Sequence, residues 1–128
     1  MRDDRQRGEK HRHLSPAVFS ILLALAGGEK HGYAIMREID LSSERAVRIG
    51  AGTLYRSIKQ LLADGTIEES GDRPDPALDD ERRRYYRLTQ LGWRILQAEA
   101  ARLAELVSQA GARGLLPDRR APAMGGAQ

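Results

Sequence analysis

The sequence of 128 residues contains no cysteine, which excludes disulfides, thiolate metal sites and cysteine nucleophiles. It has only three histidines, which leaves few side chains for metal binding or for acid–base chemistry near neutral pH. The longest apolar run, residues 17–26, is too short to cross a bilayer, and residues 1–13 lack the apolar segment of a signal peptide. We therefore expect a cytoplasmic protein without a membrane partner, which the absence of cysteine also fits.

Charged residues make up 30% of the chain, and their distribution says more than the net charge of +3. Residues 45–59 hold four Lys or Arg and no acid, residues 64–81 hold eight acids and one Arg, and residues 82–87 hold four Arg and no acid. Such alternation indicates a surface for a polyanion, interrupted by a loop that points elsewhere, although solvated helix faces explain the composition equally well. The role of the acidic loop, residues 71–81, stays open between a solvated connection and a device against non-specific binding.

Both ends of the chain lack a repeating apolar pattern. Residues 1–13 are polar and carry five basic side chains, so we predict a flexible basic arm there. Residues 111–128 are rich in Gly, Ala and Pro and cannot bury enough surface to offset the entropy of ordering, so we predict a disordered tail. The part that folds divides into one domain over residues 14–88 and a long helix over residues 89–110.

Three short helices are predicted in the first half of the domain. Ser15 and Pro16 suit the cap and the first position of the first helix, and glycines end the first and third helices. The predicted helices cover residues 16–26, about 31–41 and about 53–64. On the third helix, helical spacing groups the leucine and isoleucine residues on one side and leaves the opposite side polar. The side chains on and beside that polar side are Thr53, Arg56, Lys59 and Gln60.

Two strands and a fourth helix follow. Residues 66–70 form a strand candidate, and residues 83–88 form the returning strand, with Tyr86 and Leu88 expected to point inward. The fourth helix is capped by Thr89, and at about 30 Å it is long enough to project beyond a three-helix core, so it needs a partner. The first helix is also apolar on two sides, and a second subunit could cover one of them. We assign to a dimer interface the residues Phe19, Leu23, Leu91, Ile95, Leu96, Leu103, Leu106 and Val107.

This order of elements predicts a mainly α protein with a small two-stranded β wing: a winged helix-turn-helix with a long C-terminal dimerisation helix. In that arrangement the third helix offers its polar side to the major groove of double-stranded DNA, where Arg56 suits guanine and Gln60 suits adenine. Thr53 at the start of the helix suits a phosphate, and the hairpin brings basic side chains to the backbone. The wing residues expected to serve it are Arg82, Arg83, Arg84, Tyr85 and Arg87.

Three blocks of sequence resemble the PadR family of bacterial transcriptional regulators, in the same order and with the same spacing. They are Gly32-Tyr33-Ala34-Ile35, residues 52–55 with residues 61–67, and residues 84–92. The resemblance covers about residues 14–110 and implies a homodimer formed through the C-terminal helix, usually a repressor at a palindromic operator. It also implies release from DNA by a phenolic or other small planar compound, and it adds Tyr33 and Tyr55 to the DNA-facing residues. With one helix after the wing, the chain resembles the short subfamily.

One feature of that subfamily is missing. Some short members stack flat drugs between tryptophans midway along the helix, where this chain has Leu103. The only tryptophan, Trp93, lies near the start of the helix and suits packing at its base or at the dimer seam.

Other classes of protein fit less well. Catalysis is not expected, because no Gly-rich phosphate loop and no Ser–His–acid set is present, and we expect no cofactor. A metal site is not expected, because His11 and His13 form a pair without cysteine or a nearby carboxylate cluster. The alternative that remains is a helical protein–protein interaction module without sequence-specific DNA binding.

Overall fold

The computed structural model describes residues 14–42, 48–72 and 84–117. Its helices are α1 (Pro16–Ala26), α2 (Gly32–Ser42), α3 (Ala51–Ala63) and α4 (Gln90–Ala112), and its strands are β1 (Lys30–His31), β2 (Ile67–Asp72) and β3 (Arg84–Leu88). The predicted fold class, a mainly α winged helix-turn-helix with a long C-terminal helix, is confirmed.

Helices α1 and α4 begin where they were predicted to begin, and each has a side-chain cap. Ser15 Oγ accepts a hydrogen bond from the backbone N–H of Val18 at 3.1 Å, and proline follows at the first helical position. Thr89 Oγ1 accepts from the N–H of Gly92 at 3.0 Å. By contrast, α3 begins at Ala51, two residues before the predicted start at Thr53, and its cap residue Gly50 makes no side-chain hydrogen bond.

Gly65 ends α3 because the chain reverses there with a positive φ of 77°, which favours glycine. Its N–H donates to the carbonyl of Leu62 at 3.1 Å, and the N–H of Thr66 donates to the carbonyl of Leu61 at 3.0 Å. These two bonds satisfy carbonyls that the end of the helix would leave unpaired. They also fix the direction in which β2 leaves α3.

The wing contains one strand more than predicted. The sheet has three antiparallel strands in the order β1-β3-β2, and β1 pairs Lys30 with Tyr86 and His31 with Tyr85. Strands β2 and β3 pair Glu68 with Arg87, and their register shifts between Glu69 and Asp72. Because β1 leads directly into α2, the sheet ties the wing to the helix-turn-helix.

The hydrophobic core lies between the helices and one face of the sheet. Tyr86 and Leu88 of β3 point into it, as their alternation predicted. Helix α3 contributes the apolar side predicted from its spacing, of which Leu62 is only half-buried. The buried residues of the first three helices are Ile21, Leu22, Ala24, Leu25, Ile35, Ile39, Leu54, Ile58 and Leu61.

Helix α4 packs on the domain only through its first half. Ile95 and Leu96 are 8% and 5% exposed within one chain, so they have little surface left for a partner. Both residues pack α4 on its own domain, and their assignment to a dimer interface stays a prediction. Glu99 is the last buried residue of α4, and its carboxylate accepts two hydrogen bonds from the Arg102 guanidinium, which raises the pKa of Arg102.

Helix α4 extends past its predicted end near residue 110. It continues to Ala112, and the N–H of Leu115 donates to the carbonyl of Ala110 at 3.0 Å, which closes the helix end. Residues 111–117 of the predicted tail thus form the helix end and the turn after it. Several predicted features lie outside the described residues: the basic arm, most of the acidic loop, Arg82, Arg83 and the rest of the predicted tail.

Candidate nucleic-acid interface

The outer side of α3 presents the polar side chains predicted to face DNA. Thr53, Arg56, Lys59 and Gln60 are exposed, while Leu54 on the opposite side is completely buried. The amphipathic pattern thus anchors α3 through its apolar side and leaves a row of donors and acceptors facing solvent. A helix presented in this way has the shape that the major groove of B-DNA admits.

Two contacts within α3 hold this row in the free protein. The Arg56 guanidinium donates to Thr53 Oγ1 at 3.3 Å, one turn earlier, and the Gln60 amide donates to Asp64 Oδ1 at 3.0 Å, one turn later. Both contacts are exposed, so water and ligand groups compete with them. A contact from Arg56 or Gln60 to a base or phosphate would replace an existing hydrogen bond. The net binding free energy gained from that contact is therefore smaller.

Tyr55 differs from its neighbours because it is half-buried and packs on the start of α2. A methyl group added at Gly32 would lie 2.7 Å from the Tyr55 hydroxyl and within 2.9 Å of its ring. The absence of a side chain at Gly32 therefore makes room for the tyrosine that joins α2 to α3. Packing between α2 and α3 therefore accounts for a glycine at residue 32 opposite a tyrosine at residue 55. A DNA contact at Tyr55 stays a prediction.

The first turn of α2 adds an aromatic and a cationic side chain. Tyr33 is 44% exposed, and the guanidinium carbon of Arg37 lies 6.0 Å from the centre of its ring. That distance permits a cation–π interaction. Arg37 also lines an open groove along α2 together with Lys30, Ala34 and Leu41. Sequence analysis missed Arg37, because an exposed arginine on a short helix has no distinctive pattern.

Three of the predicted wing residues, Arg84, Tyr85 and Arg87, lie in the described part of the chain. Arg84 is exposed, and Tyr85 is half-buried with its ring edge-on to His31 at 5.1 Å. Arg87 is also exposed, but its Nε donates to the Glu68 carboxylate at 2.8 Å across the sheet. Tyr85 therefore lies against the residue that leads into α2, whereas the Arg87 guanidinium is held by Glu68.

A second surface of the protein is apolar. Beyond Glu99, α4 extends for thirteen residues, about 20 Å, with no buried residue. The stripe that packs on the domain in the first half of α4 continues along this projection through Leu103 and Leu106, with Val107 beside it. Leu91, Trp93 and, on α1, Leu23 are exposed as well, whereas Phe19 and Leu103 are half-buried.

The described residues offer little for other chemistry. Among them, no group of three or more His, Asp or Glu side chains is arranged to hold a metal ion. His11 and His13 lie outside the described ranges, and the ring of His31 is engaged by its neighbours. Within the part of the chain that the structure describes, no helix is both long enough and apolar enough to span a bilayer.

The fold and this surface define a winged-helix protein of the kind that regulates transcription. The model of the transcriptional regulator PadR-like family matches residues 21–98, and the chain belongs to this family. Over 90 residues, 70% of the chain, it is 35% identical to an uncharacterised 37.1 kDa protein in transposon TN4556 of Streptomyces fradiae. The match spans 24% of the length of that relative.

Solved structures show the same fold. A transcriptional regulator from Clostridium thermocellum superposes with a TM-score of 0.59 and 24% identity, over 86% of this chain and 96% of that one. PadR of Bacillus subtilis, solved in complex with operator DNA, superposes with a TM-score of 0.57 and 21% identity, over 66% of this chain and 45% of that one.

Proposed function

We propose that the protein is a sequence-specific DNA-binding transcriptional regulator that represses at an inverted-repeat operator as a homodimer. The observation that carries the proposal is the exposed row on α3, where Arg56 and its polar neighbours are presented by a helix whose other side is anchored in the core. Membership of the PadR-like family and the operator complex of Bacillus subtilis PadR support it.

Two copies fit this function better than one. A twofold axis near the projecting half of α4 would bury Leu106 and Val107 and would present two copies of α3 to one face of the duplex. Successive major grooves on that face are about 34 Å apart, which predicts two half-sites separated by one helical turn. Tyr33 at the start of α2 and Arg84 on β3, both exposed, would contact phosphates beside the groove that α3 enters.

A small hydrophobic or phenolic effector is the proposed means of release. A ligand between the paired α4 helices that favours a different dimer shape would change the distance between the two α3 helices. The largest loss of affinity for DNA would then equal the ratio of the ligand's affinities for the second and the first dimer shape. This part of the proposal rests on the resemblance to the family.

The proposal is tested first by selecting bound fragments from genomic DNA. We expect enrichment of an inverted repeat with half-sites one helical turn apart. If the protein forms a stable dimer but enriches no DNA, the result would favour the alternative of a protein–protein interaction module.

Replacing Arg56 with alanine should weaken binding to the selected operator by about 1–3 kcal/mol, roughly 5- to 150-fold, as expected for the loss of one bidentate base contact. Arg113 is a matched control, because it is an exposed arginine that directly follows α4 and lies outside the row on α3. Both variants are compared with the parent by fluorescence anisotropy on the same duplex. Equal affinities of Arg56→Ala and Arg113→Ala would remove Arg56 from the base-reading residues.

Operator affinity should also depend steeply on salt, because binding of cationic side chains to phosphates releases counterions. A dimer that contacts about six phosphates would lose roughly 10³-fold in affinity between 50 and 200 mM monovalent salt. The measurement is a series of titrations on operator DNA and on an unrelated duplex of equal length. An affinity that stays constant across this range would contradict a phosphate-binding surface.

A further inference from the structure

His31 lies where the wing meets the helix-turn-helix. It is the last residue of β1, it directly precedes α2, and it pairs with Tyr85 of β3. Its side chain is half-buried and lines the open groove along α2. One residue therefore belongs to the sheet and to the start of the helix at the same time.

The imidazole ring contacts two tyrosines that are candidates for DNA contact. The Tyr33 ring from α2 is nearly parallel to it, with 17° between the planes and 6.5 Å between the centres. The Tyr85 ring from the wing meets it edge-on, at 83° and 5.1 Å. His31 thus stands between an aromatic side chain of the helix-turn-helix and one of the wing.

The ring also caps α2. Its Nδ1 accepts a hydrogen bond from the backbone N–H of Ala34 at 3.1 Å, three residues along the chain, which is the geometry of an N-cap. This bond assigns the lone pair to Nδ1 and the hydrogen to Nε2. The imidazole therefore makes two kinds of contact, one with the backbone at the start of α2 and one with the rings of Tyr33 and Tyr85.

We propose that His31 is a positioning residue of the DNA interface: its flat ring, packed between Tyr33 and Tyr85, holds both tyrosines in the orientation in which they meet the duplex. The inference rests on the proposed DNA-binding function and assigns a residue that acts through these two tyrosines. The cap and the ring are separable contributions, because the cap needs only an acceptor and the tyrosine contacts need only a flat ring.

Two substitutions separate them. In His31→Asn the acceptor is kept, since asparagine is among the best N-cap residues, but the ring is lost. We expect a two- to tenfold loss of operator affinity at 20 °C, the range that an aromatic pair contributes, and a fall in Tm of a few degrees from the lost packing. In His31→Phe the ring is kept and the cap is lost, so Tm should fall by about 4 °C while the affinity at 20 °C stays within about twofold.

A double-variant cycle shows whether His31 acts through the tyrosines. In a chain carrying both Tyr33→Leu and Tyr85→Leu, adding His31→Asn should cause no further loss of affinity. An undiminished loss in that background would overturn the inference, as would His31→Asn binding like the parent while His31→Phe loses affinity.

A readout without DNA keeps this inference distinct from the proposed function. In NMR spectra of the free protein, His31→Asn should change the nuclear Overhauser contacts that the rings of Tyr33 and Tyr85 make with other residues, and leave those of Tyr86, which lies in the core, in place. Unchanged contacts of both rings would overturn the positioning role. A parent protein that binds no DNA, while His31→Asn changes these contacts, would overturn the proposed function and leave the ring's positioning of the two tyrosines supported.

Discussion

Replacing Gly92 with alanine is expected to destabilise the fold by more than about 3 kcal/mol, at the upper end of what overpacking causes. A methyl group at this position would lie 2.1 Å from the backbone carbonyl oxygen of Thr66 and 3.3 Å from the side chain of Leu88. The carbonyl cannot easily retreat, because it accepts a hydrogen bond from the N–H of Thr89 at 3.1 Å, and the Thr89 hydroxyl lies between it and the Gly65 carbonyl oxygen, 3.0 and 2.5 Å away. The start of α4 would have to move away from the domain.

The measurement is thermal or urea unfolding followed by circular dichroism, with an expected fall in Tm of more than about 10 °C. Gly52→Ala is the matched control, since Gly52 also lies in the first turn of a helix, but an added methyl group would meet only the Arg56 guanidinium at 4.0 Å, an ordinary contact. There the change should be neutral or stabilising by up to about 1 kcal/mol, because alanine is the better helix former. If the two variants unfold at the same temperature, the close approach of α4 to Thr66 is not as tight as the structure describes.

Replacing Leu106 with glutamate should reduce affinity for a two-half-site operator by about 100-fold or more, because a single copy loses the gain from binding two linked sites. Leu106 is 47% exposed and lies on the projecting continuation of the stripe that packs α4 on its domain. In the proposed dimer a carboxylate there would lie unpaired among apolar side chains, which opposes association. The fold of one chain should be unaffected, since α4 is exposed at this point.

Ser108→Glu provides the control for Leu106→Glu. Ser108 is exposed two residues further along the same helix, on nearly the opposite side, so it receives the same charge without facing the proposed seam. Sedimentation analysis should show a monomer for Leu106→Glu and a dimer for the parent and for Ser108→Glu. A dimeric Leu106→Glu protein with full operator affinity would place the dimer seam elsewhere.

The sequence predicted the elements well where local chemistry decides them. Serine before proline at residue 15 and threonine at residue 89 are side-chain caps, and both appear as such in the structure. The side of α3 that faces the core could be predicted because its apolar residues recur at helical spacing over three turns. The exposure of Thr53 and Arg56 followed from the same periodicity.

Features that depend on distant parts of the chain were not predictable. Strand β1 has two residues, too few for an alternating pattern, and exists because Lys30 and His31 meet β3. The stripe on α4 is continuous, so nothing local indicated that Ile95 and Leu96 pack on their own domain while Leu106 does not. The role of His31 depends on Tyr85, which is far away in sequence and adjacent only in the folded sheet.

The junction between β3 and α4 consists of one residue, Thr89, whose backbone and hydroxyl are both bound to Thr66 after the end of α3. Because no flexible linker separates α4 from the DNA-binding domain, the domain cannot move independently of α4 to reach a half-site at a different distance. Each base pair added between half-sites rotates one of them by about 35° around the duplex axis. In a dimer built on α4, that rotation would have to be accommodated by twisting the DNA or the pair of α4 helices. The regulator should therefore tolerate changed bases more readily than a changed spacer length.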